Sequence, residues 1–147
     1  MRTGGATLPD EPEFEPSHVT ICVSDIDRAE AFYAALGFSR LYAMSPPEPF
    51  KTLLERPDAA ALTMVAMELA GFRIELLSCG PEAAAPKAPR IGARHLSLRV
   101  KNLDAAAARI TAAGGCAHPQ TRMSNDAGEF MMAADPDGQR LLLMRTG

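Results

Sequence analysis

From His18 onward the chain alternates, with Val19, Ile21 and Val23 on one side and His18, Thr20 and Cys22 on the other. A period of two marks a strand with one buried face. Ser24-Asp25 then offers a helix N-cap, and Ile26, Ala29, Phe32, Tyr33 and Leu36 recur at helical spacing until Gly37 supplies a stop. The stretch SRLYAMSPPEPF after Phe38 reads as a short strand entering a Pro-rich turn, and 51–60 as an irregular or briefly helical connection. Leu62 to Leu69 and Phe72 to Leu77 are extended runs around Ala70-Gly71, which predicts a hairpin. The unit is β-α-β-β-β. The segment CGPEAAAPKAPR that follows is rich in Pro and Ala with almost nothing to bury, so a linker is predicted over 80–91.

The same text then recurs. With a shift of 77 positions, which carries His18 onto His95, HVTICVSDIDRAEAFYAALG (18–37) overlays HLSLRVKNLDAAAARITAAG (95–114) without a gap. Strand pattern, helix start and helix stop are kept together, which marks a duplicated unit. The second hairpin is Phe130 to Ala134, the turn Asp135-Pro136-Asp137-Gly138, and Arg140 to Met144. The chain is therefore predicted to be α+β, with a flexible tail over 1–17 and one domain over 18–147. That domain consists of modules 18–79 and 92–145, whose strands form a cupped, mostly antiparallel eight-stranded sheet around a cavity.

Composition narrows the functions open to such a cup. At 147 residues, 47% hydrophobic and 22% charged, the chain can bury a core, which excludes disordered and fibrous classes. A net charge of -3 gives no electrostatic footprint for phosphate backbones or anionic lipid, so neither nucleic acid nor membrane is expected as a partner. No apolar run reaches membrane-span length and the start lacks a signal-peptide pattern, so a cytoplasmic location is expected. Cys22, Cys79 and Cys116 are odd in number and far apart, and read as reduced thiols.

Polar chemistry converges on the side of the strands away from the aliphatic stripe. His18 and His95 open equivalent strands there, and in Phe72-Arg73-Ile74-Glu75-Leu76-Leu77 alternation puts Arg73 and Glu75 on that side too. A carboxylate inside an apolar strand is expensive unless paired or metal-bound. His18, Glu75 and His95 thus form a two-imidazole, one-carboxylate set suited to one divalent ion (Ni, Co, Mn, Zn or Fe), with positions left for substrate. An ion pair of Glu75 with Arg73 or Arg99 is the structural alternative. Both arginines are also candidate anchors for an anionic substrate, and Thr20 and Ser97 lie beside them on the same face. His118, outside the repeat, reads as a loop residue.

The paired modules, the strand-opening histidines, the Glu in RIELL and the ending AADPDGQRLLLM resemble the vicinal oxygen chelate superfamily, which includes glyoxalase I, methylmalonyl-CoA epimerase, extradiol dioxygenases and bleomycin-binding resistance proteins. The resemblance covers roughly 18–145. It implies metal ligands at His18, Glu75, His95 and position 142, with Glu75 the candidate catalytic carboxylate. The last slot departs from the pattern. Where such proteins read DPDG followed by a Glu four positions on, this chain has DPDGQRLLL and Leu142, leaving an apolar wall against the substrate. The overlay supports that slot, since Gly71 to Glu75 and Gly138 to Leu142 are both four steps. The resemblance implies a metal-dependent lyase or isomerase of the glyoxalase or epimerase type, acting on a small oxygenated, anionic substrate through an enolate or enediolate. Metal-free small-molecule binding of the bleomycin-resistance type is the alternative, and Fe(II) dioxygenase chemistry a further one. Paired cups in small proteins of this kind also imply a homodimer.

Overall fold

The computed structural model describes residues 13–53, 62–78 and 91–146. The expected linker lies outside the described residues apart from Ile91, as does the expected tail apart from 13–17, all of which are exposed. Along the chain run β1 (Val19–Val23), α1 (Ile26–Ala35), β2 (Ser39–Met44), α2 (Glu48–Leu53), β3 (Met64–Leu69), β4 (Phe72–Ser78), β5 (His95–Arg99), α3 (Leu103–Ala112), β6 (Cys116–Asn125), β7 (Gly128–Ala134) and β8 (Arg140–Thr146).

The repeat is visible in the helix ends. Asp25 caps α1 by accepting from the Arg28 amide at 3.1 Å, and Asn102, its counterpart, caps α3 by accepting from the Ala105 amide at 2.8 Å. Gly37 and Gly114 follow the helices with φ of 113° and 99°, a region closed to most side chains, which turns the chain back toward the sheet. The hairpin at Ala70-Gly71 takes positive φ at both residues, 50° and 87°, as a two-residue turn between twisted strands requires. No helix among the described residues is long and apolar enough to cross a membrane.

The eight strands are distributed over two four-stranded sheets, β1-β4-β3-β2 and β5-β8-β7-β6. In each, the first strand pairs parallel with the last, and the remaining pairs are antiparallel. Thr20 lies opposite Glu75 in the first sheet and Ser97 opposite Leu142 in the second, so the two modules share one register.

The modules meet through their helical sides. A single core cluster draws Ile21, Phe32, Tyr33, Ile74 and Leu76 from the first and Leu96, Leu103, Ile110, Leu141 and Leu143 from the second. Phe32 and Tyr33 are fully buried, with ring centroids 5.0 Å apart in edge contact. Removing a ring at such a position costs about 3–5 kcal/mol. Gly115 sits at this seam: a Cβ there would lie 2.5 Å from the Ala134 carbonyl oxygen and 2.7 Å from the Phe32 ring, so only glycine permits the approach.

The turn after β7 fastens the two modules together. The Tyr33 hydroxyl donates to Asp135 Oδ2 at 2.7 Å, while Asp137 accepts from the Ser24 amide at 3.0 Å and from Arg28 at 3.1 Å. Asp135 is buried, and it also accepts from the amides of Asp137 and Gln139, each at 2.9 Å.

Candidate functional site

With α1 and α3 in the shared core, the opposite sheet faces carry the polar candidates. Across the first sheet the register defines one row, Thr20, Glu75, Ala66 and Tyr42, with one residue from each strand. Ala66 projects only a methyl group, and the Tyr42 side chain reaches over it to place its hydroxyl 3.1 Å from Glu75 Oε2. Arg73, two residues before Glu75 on the same face, donates from Nη2 to that oxygen at 2.9 Å and also to the Tyr42 hydroxyl. Its guanidinium carbon stands 5.3 Å from the Tyr42 ring centroid. On the other side His18 Nε2 lies 3.0 Å from Glu75 Oε1, and His18 Nδ1 lies 2.8 Å from the Ser17 hydroxyl.

Glu75 is only 6% exposed, so both its oxygens need partners, and both have them. The ion pair with Arg73 expected as the structural alternative is therefore formed, and His18 adds to it. Because a carboxylate oxygen only accepts, Nε2 carries the hydrogen that meets Glu75, and in the neutral ring Nδ1 accepts from the Ser17 hydroxyl. Arg73 Nε is buried without a hydrogen-bond partner among the described residues.

The second sheet repeats the row with other chemistry: Ser97, Leu142, Met132 and His118. Leu142 holds the register position of Glu75, as the overlay predicts. His95 is exposed at the start of β5, and Arg99 at its end donates from Nε to Thr146 Oγ1 at 3.0 Å. The structure thus brings His18, Thr20, Arg73 and Glu75 together on one cup, and His95, Ser97, Arg99 and Leu142 on the other.

One chain does not unite the two sets. Among the described residues no three His, Cys, Asp or Glu side chains converge as a metal-binding group. The reason is architectural, since the modules join through their helices and leave the cups on separate sheets. His18 and Glu75 nevertheless fit two neighbouring positions on an ion: ligand atoms about 2.1 Å from a metal and at right angles lie about 3 Å apart, and Nε2 to Oε1 is 3.0 Å.

Three residues differ from expectation. His118 belongs to β6 and faces the second cup, in place of a loop. Tyr42 joins Glu75 as a partner that the sequence pattern does not reveal. Both sit beside a register shift, between Arg40 and Tyr42 and between His118 and Met123, which breaks the alternation that would have assigned their faces. Cys22 is disulfide-bonded, which corrects the expectation of three reduced thiols, while Cys116 is a free, exposed thiol. Cys22 lies opposite Leu77 on the parallel neighbour β4, and separation in sequence is no measure of distance across such a ladder.

A family model, Glyoxalase/Bleomycin resistance protein/Dioxygenase superfamily, matches residues 16–143. No curated protein matches the chain. Among solved structures, a glyoxalase family protein from Bacillus cereus aligns with a TM-score of 0.78 at 17% identity, over 95% of this chain and 99% of that one. A glyoxalase family protein from Enterococcus faecalis aligns at 0.67 and 24% identity, over 89% and 97%. A point mutant of the fosfomycin resistance protein FosX from Listeria monocytogenes, complexed with Mn(II) and 1S,2S-dihydroxypropylphosphonic acid, aligns at 0.65 and 18% identity, over 90% and 93%. With a family model spanning both modules, the chain belongs to the Glyoxalase/Bleomycin resistance protein/Dioxygenase superfamily.

Proposed function

We propose that the protein is a metal-dependent lyase or isomerase acting on a small oxygenated, anionic substrate, and that its site is completed between the first cup of one chain and the second cup of another copy. The observation that carries this reading is the His18–Glu75 pair, an imidazole and a nearly buried carboxylate set 3.0 Å apart on an open sheet face. A divalent ion held there would act as a Lewis acid, stabilising negative charge on substrate oxygens as a proton leaves the adjacent carbon.

The chain's own side chains divide the remaining work. His18 Nε2 and Glu75 Oε1 would be ligands, with His95 of a second copy as the third. Arg73 and Tyr42 fix Glu75 through Oε2 and leave Oε1 toward His18. The Arg73 side chain is 32% exposed beside Glu75, and the outer N–H groups of its guanidinium would be donors for an anionic substrate group. The FosX relative, with Mn(II) and a phosphonic acid diol, supports this choice of ion and substrate class.

Complementation tests the shared site. His18→Ala and His95→Ala proteins should each bind Mn or Ni poorly, and refolding an equal mixture should restore about a quarter of the wild-type sites, because half of the dimers are hybrid and each hybrid holds one intact site. A mixture no better than its components would place the site within one chain, and full metal binding by both variants would remove these ligands. One observation favours the second reading, a metal-free binding protein: Arg73 already neutralises Glu75, and Leu142 adds no second carboxylate. Wild-type protein that stays metal-free after dialysis against each of the candidate ions would decide for it.

A further inference from the structure

The duplication is broken at one place on the helical side, and the break leaves a cavity of about 360 Å³. Under the shift of 77, Ser24, Arg28, Phe32 and Tyr33 correspond to Lys101, Ala105, Arg109 and Ile110. In the first module this stripe is filled and fastened: Ser24 and Arg28 hold Asp137, Tyr33 holds Asp135, and Phe32 is fully buried. The corresponding turn between β3 and β4 is Ala70-Gly71, which has no polar side chain to fasten anything. Alanine replaces arginine at 105, and arginine replaces phenylalanine at 109. The hollow that remains is walled by Leu36 and Leu69 from the first module and by Leu98, Ala106, Ile110 and Leu143 from the second.

We propose that this hollow is a second ligand site, distinct from the cups, which takes a small amphipathic carboxylate. The walls supply the apolar half of the recognition. Lys101 and Arg109 supply the other half: both line the hollow, both are exposed, and neither is paired with a carboxylate among the described residues. Lys101 and Arg109, with Arg99 beside them bonded to the Thr146 hydroxyl, line an apolar hollow in a chain whose net charge is -3, and complement one anionic head group on an apolar body. Among the described residues no acidic side chain lines the hollow to oppose it. A volume near the lower end of the ~300–1,000 Å³ typical of small-molecule sites selects a medium-chain or aryl carboxylate over a two-chain lipid or a peptide.

Titration of octanoate into the full-length chain, followed by calorimetry and by backbone amide NMR, tests the proposal. The expected result is one saturable site per chain, with shifts at 98–110 and at Leu36 and Leu69. Octanol, which lacks the charge, should bind about tenfold more weakly, as should octanoate to Arg109→Gln or Lys101→Gln. Arg109→Lys should stay close to wild type. Ala105→Leu, on the exposed face of α3, should fill the hollow and abolish binding without disturbing the fold. Glu75→Gln should bind octanoate as wild type does, so failure here and failure of the proposed metal site are separately visible. Absence of saturation, shifts centred on Glu75 and Tyr42, or wild-type affinity in both charge-removing variants would overturn the proposal.

Discussion

At the scale of single residues, Glu75 is defined by what surrounds it: an imidazole on one oxygen, a guanidinium and a phenol on the other. Tyr42→Phe keeps the ring over Ala66 but removes one donor to Glu75 and the acceptor that Arg73 uses. A loss of about 1 kcal/mol is expected in urea unfolding, together with weaker metal binding as the carboxylate becomes less fixed. Leu142→Glu asks the reverse question. It places a carboxylate at the register position of Glu75 on the second cup, and its melting temperature should rise with added Mn or Ni far more than that of the wild type. Identical melting with and without metal would show that position 142 does not face an ion. Most of this site was legible in the sequence, because Arg73 and Glu75 follow plain alternation and the repeat assigns His18, His95 and Leu142. Tyr42 and His118 were not legible, since a bulge between a residue and its nearest regular pair changes the face by one step and leaves no mark in the residue types.

At the scale of elements, the caps, stops and turns follow local chemistry, which is why the strands and helices of both units could be read from the sequence. What joins them could not be read that way, because the Tyr33–Asp135 contact spans 102 positions and has no periodic signature. It does have a pH signature. Burial raises the Asp135 carboxyl above its ordinary value of 3.8, against the lowering effect of the Tyr33 hydroxyl and the Gln139 and Asp137 amides. A carboxyl with a raised folded pKa holds its proton more tightly when folded. Its contribution to stability is therefore fully present below 3.8 and is lost as pH rises through the folded value. Tyr33→Phe deletes a donor that favours the anion. Carboxyl ¹³C titration should show the Asp135 midpoint moving further up, with a loss of about 1–3 kcal/mol at neutral pH from the under-satisfied carboxylate.

At the scale of the whole molecule, two sheets joined through their helical sides turn their candidate site faces away from the shared core, and a site built from both would need a second copy. Metal affinity should then fall when the protein is diluted below its dimer dissociation constant, while a site within one chain would be indifferent to concentration. Sedimentation and metal titration over the same concentration series would separate the two. Because the two cups share one backbone register but not one set of side chains, the enclosure between them would have a direction. One wall offers charge and hydrogen-bond donors from Glu75, Arg73, Tyr42 and His18, and the other offers Leu142 and Met132 at the centre of a row that Ser97 and His118 end. A molecule with an oxygen-rich end and a hydrocarbon end would gain from lying one way round and lose from being reversed, so near-symmetrical architecture would here yield a lopsided recess that tells the head of its guest from the tail.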